Sequence, residues 1–350
     1  MKTIYLAGGC FWGLQKYFDQ FQGILETEVG YANGKTKNPT YQEVCTQATG
    51  FVETLKIVYH PVQICLSEIL DLYFDVIDPF SMNQQGPDKG TNYRTGIYYV
   101  DHEDLHIVEH TYQLWQSKYD RPFVVEVQPL ENYYPAEQMH QKYLENNPQG
   151  YCHIPFVKMT KEKYVSMSQE ERMSRKDFFL CNSQELRKIR NENYHLLHAL
   201  NQMDNAHKEE RYQVCQHIFG SIGEDVNVKS QFYCDYGKHI HLGNRVFINS
   251  LCVFSDVGQI IIHDDVCIGP QVGIYTVNHP IDGELRKTGL EYGMDVEIGQ
   301  GCWIGGHVTI NPGVRLGSNV VVASGSVVTH SFPDNVMIAG VPAKIVKELD

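Results

Sequence analysis

Cys10 is the residue near the start of the chain whose type and position best suit catalysis. The run TIYLAG before it has the pattern of a strand, and apolar residues recur after it at helical spacing. A thiol at a helix N-terminus faces backbone N–H groups and the helix dipole, which lower its pKa from about 8.5. We therefore expect Cys10 to be a nucleophile, with Phe11 and Trp12 lining an apolar pocket beside it. The alternative is an inert, buried cysteine.

A second group that could do acid–base chemistry lies in the segment TVNHPIDGELRKTGLEYGMD. His279 is near the start of this segment, and Glu291 follows in the same segment. A carboxylate that binds one imidazole nitrogen can orient the ring as a general base. A lone histidine is more often a hydrogen-bonded structural residue, so this pair is weak evidence without its context.

Composition restricts the class of protein. With 42% hydrophobic and 20% charged residues, the chain is globular rather than disordered or collagen-like. A net charge of -13 argues against a nucleic acid partner. No apolar run approaches the roughly 18 residues of a membrane span, and the first residues continue as structure rather than as a signal peptide. Ten cysteines without a C-x-x-C pair predict no metal site, and we expect a cytoplasmic protein.

The length of 350 residues favours two domains. Up to residue 155, short strands alternate with helical patterns, so an α+β domain is predicted over 1–155. Its last predicted helix is AEQMHQKYLE, residues 136–145. The polar segment 156–169 has the composition of a linker.

A six-residue repeat marks the second half. Such a period is typical of a parallel β-helix, predicted over 225–347 within a domain at 170–350, with helices over 170–220. The inward apolar positions include Ile298, Ile304, Ile310, Leu316, Val322 and Val328. The small residues that follow inward positions are Gly243, Gly269, Gly299, Gly305, Gly317 and Ala323. We expect these small residues at tight corners, because a left-handed or otherwise strained backbone conformation costs least at glycine.

Five separated motifs of the first domain occur in the order of a known family. They are GCFWG around Cys10, PTYQEVC at 39–45, Glu53 after TGFV, GPDKGTNYR at 86–94, and AEQMHQKYLENNPQGYC ending at Cys152. The chain from about 3 to 155 resembles the methionine sulfoxide reductase A family, which implies a ferredoxin-like α+β fold. Gln15 and Phe51 depart from the Glu and His usual in the family.

The resemblance implies that Cys10 attacks the sulfur of oxidised methionine, with Glu53 as proton donor. Tyr41 and Tyr93 would hydrogen-bond the departing oxygen, and Asp88 would join this cluster through water.

Phe11 and Trp12 would hold the substrate methyl group and select the S epimer, in free or peptide-bound methionine. Cys152 would resolve the Cys10 sulfenic acid as a disulfide, and a thioredoxin-type dithiol would recycle the enzyme. Cys45 is expected to be buried and inert. A general disulfide oxidoreductase or peroxidase that uses the same two cysteines is the alternative.

Residues 170–350 resemble the hexapeptide-repeat sugar O-acetyltransferases of the maltose and galactoside type. The resemblance rests on FYCDYGKHIHLGN, YTVNHPID and AGVPAKIVKEL. It implies a left-handed β-helix with a helical N-terminal cap, a homotrimer, and active sites between subunits. His279 would take a proton from a sugar hydroxyl that attacks acetyl-CoA, and Glu291 would hold the imidazole.

The same resemblance assigns the binding residues. Asn249 and Asp256 would contact the acceptor, Trp303 would pack at the acceptor and pantetheine pocket, and Lys344 and Lys347 would bind CoA phosphates. His330 stands where the family often has a lysine near the adenosine phosphate. The alternative is that the β-helix is a non-catalytic scaffold that clusters three reductases.

Overall fold

A computed structural model describes residues 1–152, 154 and 166–349 and divides the chain into two compact units. The first unit is Met1–Phe178 and the second is Phe179–Asp350. Residues 156–165, which make up most of the predicted linker 156–169, lie outside the described residues. No helix in the described part of the chain is long and apolar enough to cross a membrane.

The strands of the first unit are β1 (Lys2–Gly8), β2 (Ile24–Ala32), β3 (Val52–Tyr59), β4 (Gln84–Gln85), β5 (Asp88–Lys89), β6 (Thr95–Tyr99), β7 (Glu126–Pro129) and β8 (Tyr133–Pro135). Six of them form one sheet in the order β7-β6-β1-β3-β2-β8, in which only the β6–β7 pair is parallel. Strands β4 and β5 form a separate antiparallel pair. Its helices are α1 (Phe11–Phe18), α2 (Tyr41–Cys45), α3 (Leu66–Val76), α4 (Leu105–Gln116), α5 (Tyr143–Asn146) and α6 (Gln169–Ser174). Short 3-10 helices cover Thr91–Tyr93, His102–Asp104 and Gln138–His140.

The single helix predicted over 136–145 is wrong. The segment instead breaks at Lys142, whose φ of 50° is left-handed. Two interactions stabilise this conformation. The backbone N–H of Lys142 donates to Gln15 Oε1 over 2.7 Å, and the ammonium group of Lys142 binds Asp19. Tertiary contacts with α1 therefore override the helical pattern.

Residues 166–178 pack onto the first unit, which corrects the predicted domain start at residue 170. The guanidinium of Arg172 is buried and lies 2.9 Å from the Glu68 carboxylate. The Asp177 carboxylate accepts a hydrogen bond from the backbone N–H of Ser67, at the first turn of α3. An anion at this end of a helix is stabilised by free N–H groups and the helix dipole.

The second unit consists mainly of short parallel strands that alternate between three sheets, consistent with a β-helix. Strand β9 (Phe179–Leu180) and helices α7 (Gln184–Gln202) and α8 (Lys208–Ile218) precede them. The first parallel sheet contains β10 (Ser221–Ile222), β13 (Ile240–Leu242), β16 (Ile260–Ile262), β21 (Val296–Ile298) and β24 (Arg315–Leu316). The second contains β11 (Asn227–Val228), β14 (Phe247–Ile248), β17 (Cys267–Ile268), β22 (Trp303–Ile304), β25 (Val321–Val322), β27 (Val336–Gly340) and β28 (Ala343–Glu348). The third contains β12 (Tyr233–Cys234), β15 (Val253–Ser255), β18 (Gly273–Tyr275), β23 (Thr309–Ile310) and β26 (Val327–Val328).

The six-residue period places one apolar side chain per strand in a common core. Ile262, Ile298 and Leu316, for example, stack in register along the first sheet and are buried. Residues of α7 and α8, including Leu200 and Ile218, pack against the same core. The last strand, β28, runs antiparallel to β27, so the parallel part of the coil ends before the predicted residue 347.

The left-handed backbone expected at the repeated glycines is wrong, because the left-handed residues lie elsewhere. Arg245 and Leu251, among others, have φ between 55° and 66°, whereas Gly243 and Gly269 do not adopt positive φ. A Cβ on Gly269 would instead lie 2.6 Å from the backbone nitrogen of Gly306 in the next coil. These glycines therefore permit close stacking of one coil on the next.

The segment that interrupts the repeat contains β19 (Val277–Asn278), α9 (Gly283–Lys287) and β20 (Leu290–Gly293). Strand β20 pairs antiparallel with both β19 and β9. The pairing with β9 brings the start of the second unit next to the segment that carries His279 and Glu291.

Candidate functional site

Cys10 immediately precedes α1, as the sequence predicts, but the expected lowering of its pKa is wrong. The side chain is only 6% exposed. Burial raises the pKa of the Cys10 thiol, and the charge that Glu53 carries once it is ionised raises it further, outweighing the backbone N–H of Trp12. The resting thiol is therefore neutral near pH 7.

Glu53 lies on β3 and is the buried carboxyl group beside Cys10. One of its oxygens accepts a hydrogen bond from the backbone N–H of Phe11 over 3.2 Å. The other oxygen is buried and has no hydrogen-bond partner among the described residues. Burial raises the pKa of Glu53 to about 8, since a single N–H does not compensate for the lost hydration. At pH 7 this carboxyl group carries a proton that it can donate.

Tyr41 and Tyr93 lie near Glu53. Burial and then the charge of Glu53 raise the pKa of both phenols, that of Tyr93 to about 12. The loop that carries Tyr93 is held by Gln47, whose side-chain oxygen accepts the N–H of Thr91 over 3.1 Å. The structure thus gathers a thiol, a protonated carboxyl group and two neutral phenols, a set of hydrogen-bond donors suited to a departing oxygen.

Aromatic rings form one wall of this site, and sequence reasoning missed two of them, His140 and Tyr143. His140 is buried, its ring centroid 5.7 Å from both Phe11 and Trp12 and 4.5 Å from Tyr41. Tyr143 stacks on Trp12, with the two ring centroids 3.9 Å apart. His140 lies within the AEQMHQKYLE motif. Its membership of this motif could have marked it as a site residue, whereas its spacing from other residues could not.

Asp88 has a direct partner that the sequence did not predict. The Tyr151 hydroxyl donates to Asp88 Oδ2 over 2.8 Å. Tyr151 immediately precedes Cys152, which is half-buried and whose thiol lies 3.6 Å from the carbonyl oxygen of Ile154. Both cysteines are free thiols.

Cys45 is not buried, contrary to expectation. It is exposed at the end of α2, and its thiol interacts with Tyr41. The α2 helix is one turn of five residues, so its last side chain reaches solvent.

In the second unit, His279 and Glu291 approach each other as predicted, but not within hydrogen-bond distance. Their Nε2 and Oε1 atoms are 3.9 Å apart, and the imidazole is 49% exposed. Burial raises the pKa of Glu291, whereas His279 and the Cys181 thiol lower it. Glu291 is therefore shared between the imidazole and a thiol that sequence analysis did not select.

Asp256 is fully buried, and its Oδ1 accepts the backbone N–H groups of Asp235 and Tyr236 over 2.8 and 2.9 Å. Burial raises its pKa to about 7. Asp235, also missed, accepts a hydrogen bond from Ser255 over 2.6 Å and acts electrostatically on Glu291. Asp256 thus shapes the turn that presents Asp235 near Glu291.

The remaining predicted residues of the second unit lie on the strands and turns of the coil. Asn249 follows β14 and its side chain accepts the N–H of Ser250, while Trp303 lies on β22 and is 59% exposed. Lys344 and Lys347 lie on β28. Within 1–152, 154 and 166–349, no hydrogen bond or ion pair joins Trp303 or either lysine to His279.

Comparisons with known proteins match the two halves of the chain to different families. The family model described as peptide methionine sulfoxide reductase matches residues 2–172. A peptide methionine sulfoxide reductase from Clostridium acetobutylicum is 54% identical over 155 residues, 44% of this chain and 96% of the relative. One from Clostridium perfringens is 52% identical over 154 residues, covering 44% of this chain and 98% of the relative.

The second half matches different proteins. The model for bacterial transferase hexapeptide, six repeats, matches residues 295–330. The structure of a maltose O-acetyltransferase from Clostridium difficile is 40% identical with a TM-score of 0.52, covering 53% of this chain and 98% of that one. A galactoside acetyltransferase in complex with coenzyme A is 34% identical with a TM-score of 0.51, covering 53% and 92%. The chain therefore belongs to the peptide methionine sulfoxide reductase family through its first half and to the hexapeptide-repeat acetyltransferases through its second half.

Proposed function

We propose that the first unit reduces methionine S-sulfoxide, free or in peptides, to methionine. The observation that carries this proposal is the buried Glu53 carboxyl group, which holds its proton near pH 7 beside Cys10. A sulfoxide oxygen must gain protons as it leaves sulfur, and a neutral acid in a dry pocket can supply one.

The chemistry follows from the groups around Cys10. Its sulfur attacks the sulfoxide sulfur while Glu53, Tyr41 and Tyr93 donate hydrogen bonds to the oxygen. An S–S bond forms between Cys10 and the substrate while the thiol proton and the Glu53 proton pass to the sulfoxide oxygen, which leaves as water when the S–O bond breaks. The oxygen of a water molecule then bonds to the Cys10 sulfur, the S–S bond breaks, and methionine leaves; the displaced proton of that water returns to Glu53, and Cys10 is a sulfenic acid. Positioned donors act most strongly on the charge that develops on the sulfoxide oxygen.

Phe11 and Trp12 would hold the substrate methyl group in the aromatic wall that includes His140. A wall that accepts the methyl on one side of sulfur selects one sulfoxide epimer, here S. Cys152 would then attack the sulfenic acid and release water, and a thioredoxin-type dithiol would restore both thiols by exchange. Asp88 would remain near the substrate through water.

The test is reduction of a dabsylated methionine S-sulfoxide by the full chain. We expect Cys10→Ser to abolish methionine formation and Cys152→Ser to stop after one turnover. Cys267→Ser, which removes an exposed thiol from the second unit, is the matched control and should turn over normally. Normal cycling of the Cys152→Ser protein with thioredoxin would place the resolving thiol elsewhere, and activity in Cys10→Ser would refute the mechanism.

We propose for the second unit an acetyl transfer from acetyl-CoA to a sugar hydroxyl, with His279 as general base. The close approach of His279 and Glu291 supports this proposal. Asn249 and Asp256 would shape the acceptor site, Trp303 would pack at the pantetheine pocket, and Lys344 and Lys347 would bind the CoA phosphates. In the proposed homotrimer, active sites would lie between subunits, so that each site combines residues of two copies.

A thiol-release assay across a sugar panel tests this second activity. Replacing His279 by Ala should reduce the turnover number by about 10²- to 10⁴-fold, the usual contribution of a general base. His263 lies 2.8 Å from Glu297 on the outside of the coil, so His263→Ala is a matched control that removes a different His–Glu pair. Absence of both turnover and CoA binding in the unaltered protein would leave the scaffold as the role of this unit.

We further propose a ferredoxin-like arrangement in the first unit, a left-handed coil capped by α7 and α8 in the second, and a cytoplasmic location. The division into units supports a domain boundary at Phe178.

A further inference from the structure

The contact between Tyr151 and Asp88 joins the segment of the second cysteine to the hairpin of β4 and β5. We propose that Tyr151 is a positioning residue for disulfide formation: its hydroxyl, bound to Asp88, holds the Cys152 segment in place for attack on oxidised Cys10. This inference rests on the proposed reductase function and assigns a role to a residue that the mechanism above does not use.

The geometry gives the segment two anchors around one cysteine. On one side, the phenol of Tyr151 donates to a carboxylate over 2.8 Å. On the other side, the Ile154 side chain is buried, with 3% exposure. Cys152 lies between these anchors, and its thiol contacts the carbonyl of Ile154. The backbone of the cysteine is therefore restrained on both sides.

Asp88, Tyr151 and Cys152 all lie near Cys10. Besides burial, the charge of Asp88 and that of an ionised Cys152 raise the pKa of Cys10, and ionised Cys10 or Cys152 would raise that of the Tyr151 phenol, so these groups are close to one another. The anchored segment therefore lies near the nucleophile already in the reduced protein.

Anchoring matters because the second step is a reaction between two groups of one chain. The Cys152 sulfur bonds to the Cys10 sulfur, the S–O bond of the sulfenic acid breaks, and the oxygen leaves as water with the Cys152 proton. Disulfide geometry requires Cα atoms within about 7 Å, so restraining the segment raises the fraction of encounters with suitable geometry. A hydrogen bond to a carboxylate is among the stronger surface restraints.

The experiment separates the two steps in the full-length protein without thioredoxin. Wild type and Tyr151→Phe are mixed with limiting methionine S-sulfoxide and quenched with acid at increasing times. Methionine reports the first step, loss of titratable thiols reports the disulfide, and dimedone traps the sulfenic acid. We expect Tyr151→Phe to form methionine with the wild-type burst, to accumulate the dimedone adduct, and to lose thiols about tenfold or more slowly.

Tyr119→Phe is the matched control, because it removes the hydroxyl of another exposed tyrosine of the same unit. It should match wild type in every readout. Asp88→Asn should slow thiol loss without adding to the effect of Tyr151→Phe in the double variant, as expected for two partners of one contact. Since Tyr151→Phe preserves the ring, equal thermal unfolding of the variants confirms that folding is unchanged.

Thiol loss at the wild-type rate in Tyr151→Phe, or fully additive effects with Asp88→Asn, would overturn the proposal. An accompanying loss of the methionine burst in Tyr151→Phe would also overturn it, because the residue would then serve the first step. Failure of the wild-type protein to form methionine at all would instead refute the reductase function itself.

Discussion

Replacing Glu53 by Gln tests the proton-donor assignment through stability as well as activity. In the unfolded chain, this carboxyl group ionises above its ordinary pKa of 4.5, whereas in the folded protein burial keeps it protonated up to about 8. As pH rises from 4.5 to 8, the unfolded state releases a proton that the folded state retains. The wild-type first unit therefore loses stability over this pH range.

The size of the effect follows from the two pKa values. Because a tenfold change in proton affinity is worth ~1.4 kcal/mol, moving the pKa from 4.5 to about 8 corresponds to about 5 kcal/mol at most. Glu53→Gln keeps the shape and removes the ionisation. The stability of this variant relative to wild type should thus rise by several kcal/mol between pH 5 and pH 8.5.

Hydrogen exchange of peptides from β3 measures this difference in the first unit alone. Glu26→Gln, on the neighbouring strand β2 and 59% exposed at its side chain, is the matched control and should show little change with pH. In the Glu53→Gln variant, the rate of methionine formation at pH 7 should also fall by about 10²- to 10⁴-fold. A stability difference that stays constant from pH 5 to pH 8.5 would show that Glu53 is ionised at neutral pH and would refute its role as proton donor.

Three further predictions concern packing and the second site. Arg172→Met should destabilise the first unit by about 3–5 kcal/mol, since the buried Glu68 carboxylate would lose the cation that pairs with it; urea unfolding measures this loss, and the double variant with Glu68→Gln should recover part of it. Gly269→Ala should lower the unfolding temperature of the second unit, because its new methyl would meet the Gly306 backbone; equal temperatures would contradict the stacking explanation. Glu291→Gln should lower the rate of acetyl transfer, because the carboxylate 3.9 Å from the His279 imidazole would be lost, and an unchanged rate would exclude Glu291 as the group that positions the base.

The sequence correctly predicted the helices and strands that are determined by the pattern of neighbouring residues. The strand before Cys10 and the helix after it follow from apolar periodicity, and the six-residue repeat led directly to the parallel strands. Prediction failed at 136–145, where Gln15 and Asp19 impose a break at Lys142. It failed also at the domain boundary, because the polar composition of 166–178 conceals the pairing of Arg172 with Glu68.

The chemical types of the candidate site residues were available from motifs, but their ionisation was not. A helix N-terminus suggests a lowered thiol pKa at Cys10, yet the structure raises it. Burial and a neighbouring carboxyl group have larger effects than one backbone N–H, and neither can be calculated until β3 is packed beside α1.

The sequence by itself determined which residues could react, where the chain divides roughly in two, and which faces of the coil strands turn inward, because these depend on residue type and periodicity. Only the tertiary structure decided that Glu53 keeps its proton, that Tyr151 reaches Asp88, and that the repeated glycines serve coil stacking. Each of these properties depends on desolvation or on contacts between segments far apart in the chain, and such distances are set by packing rather than by spacing along the sequence.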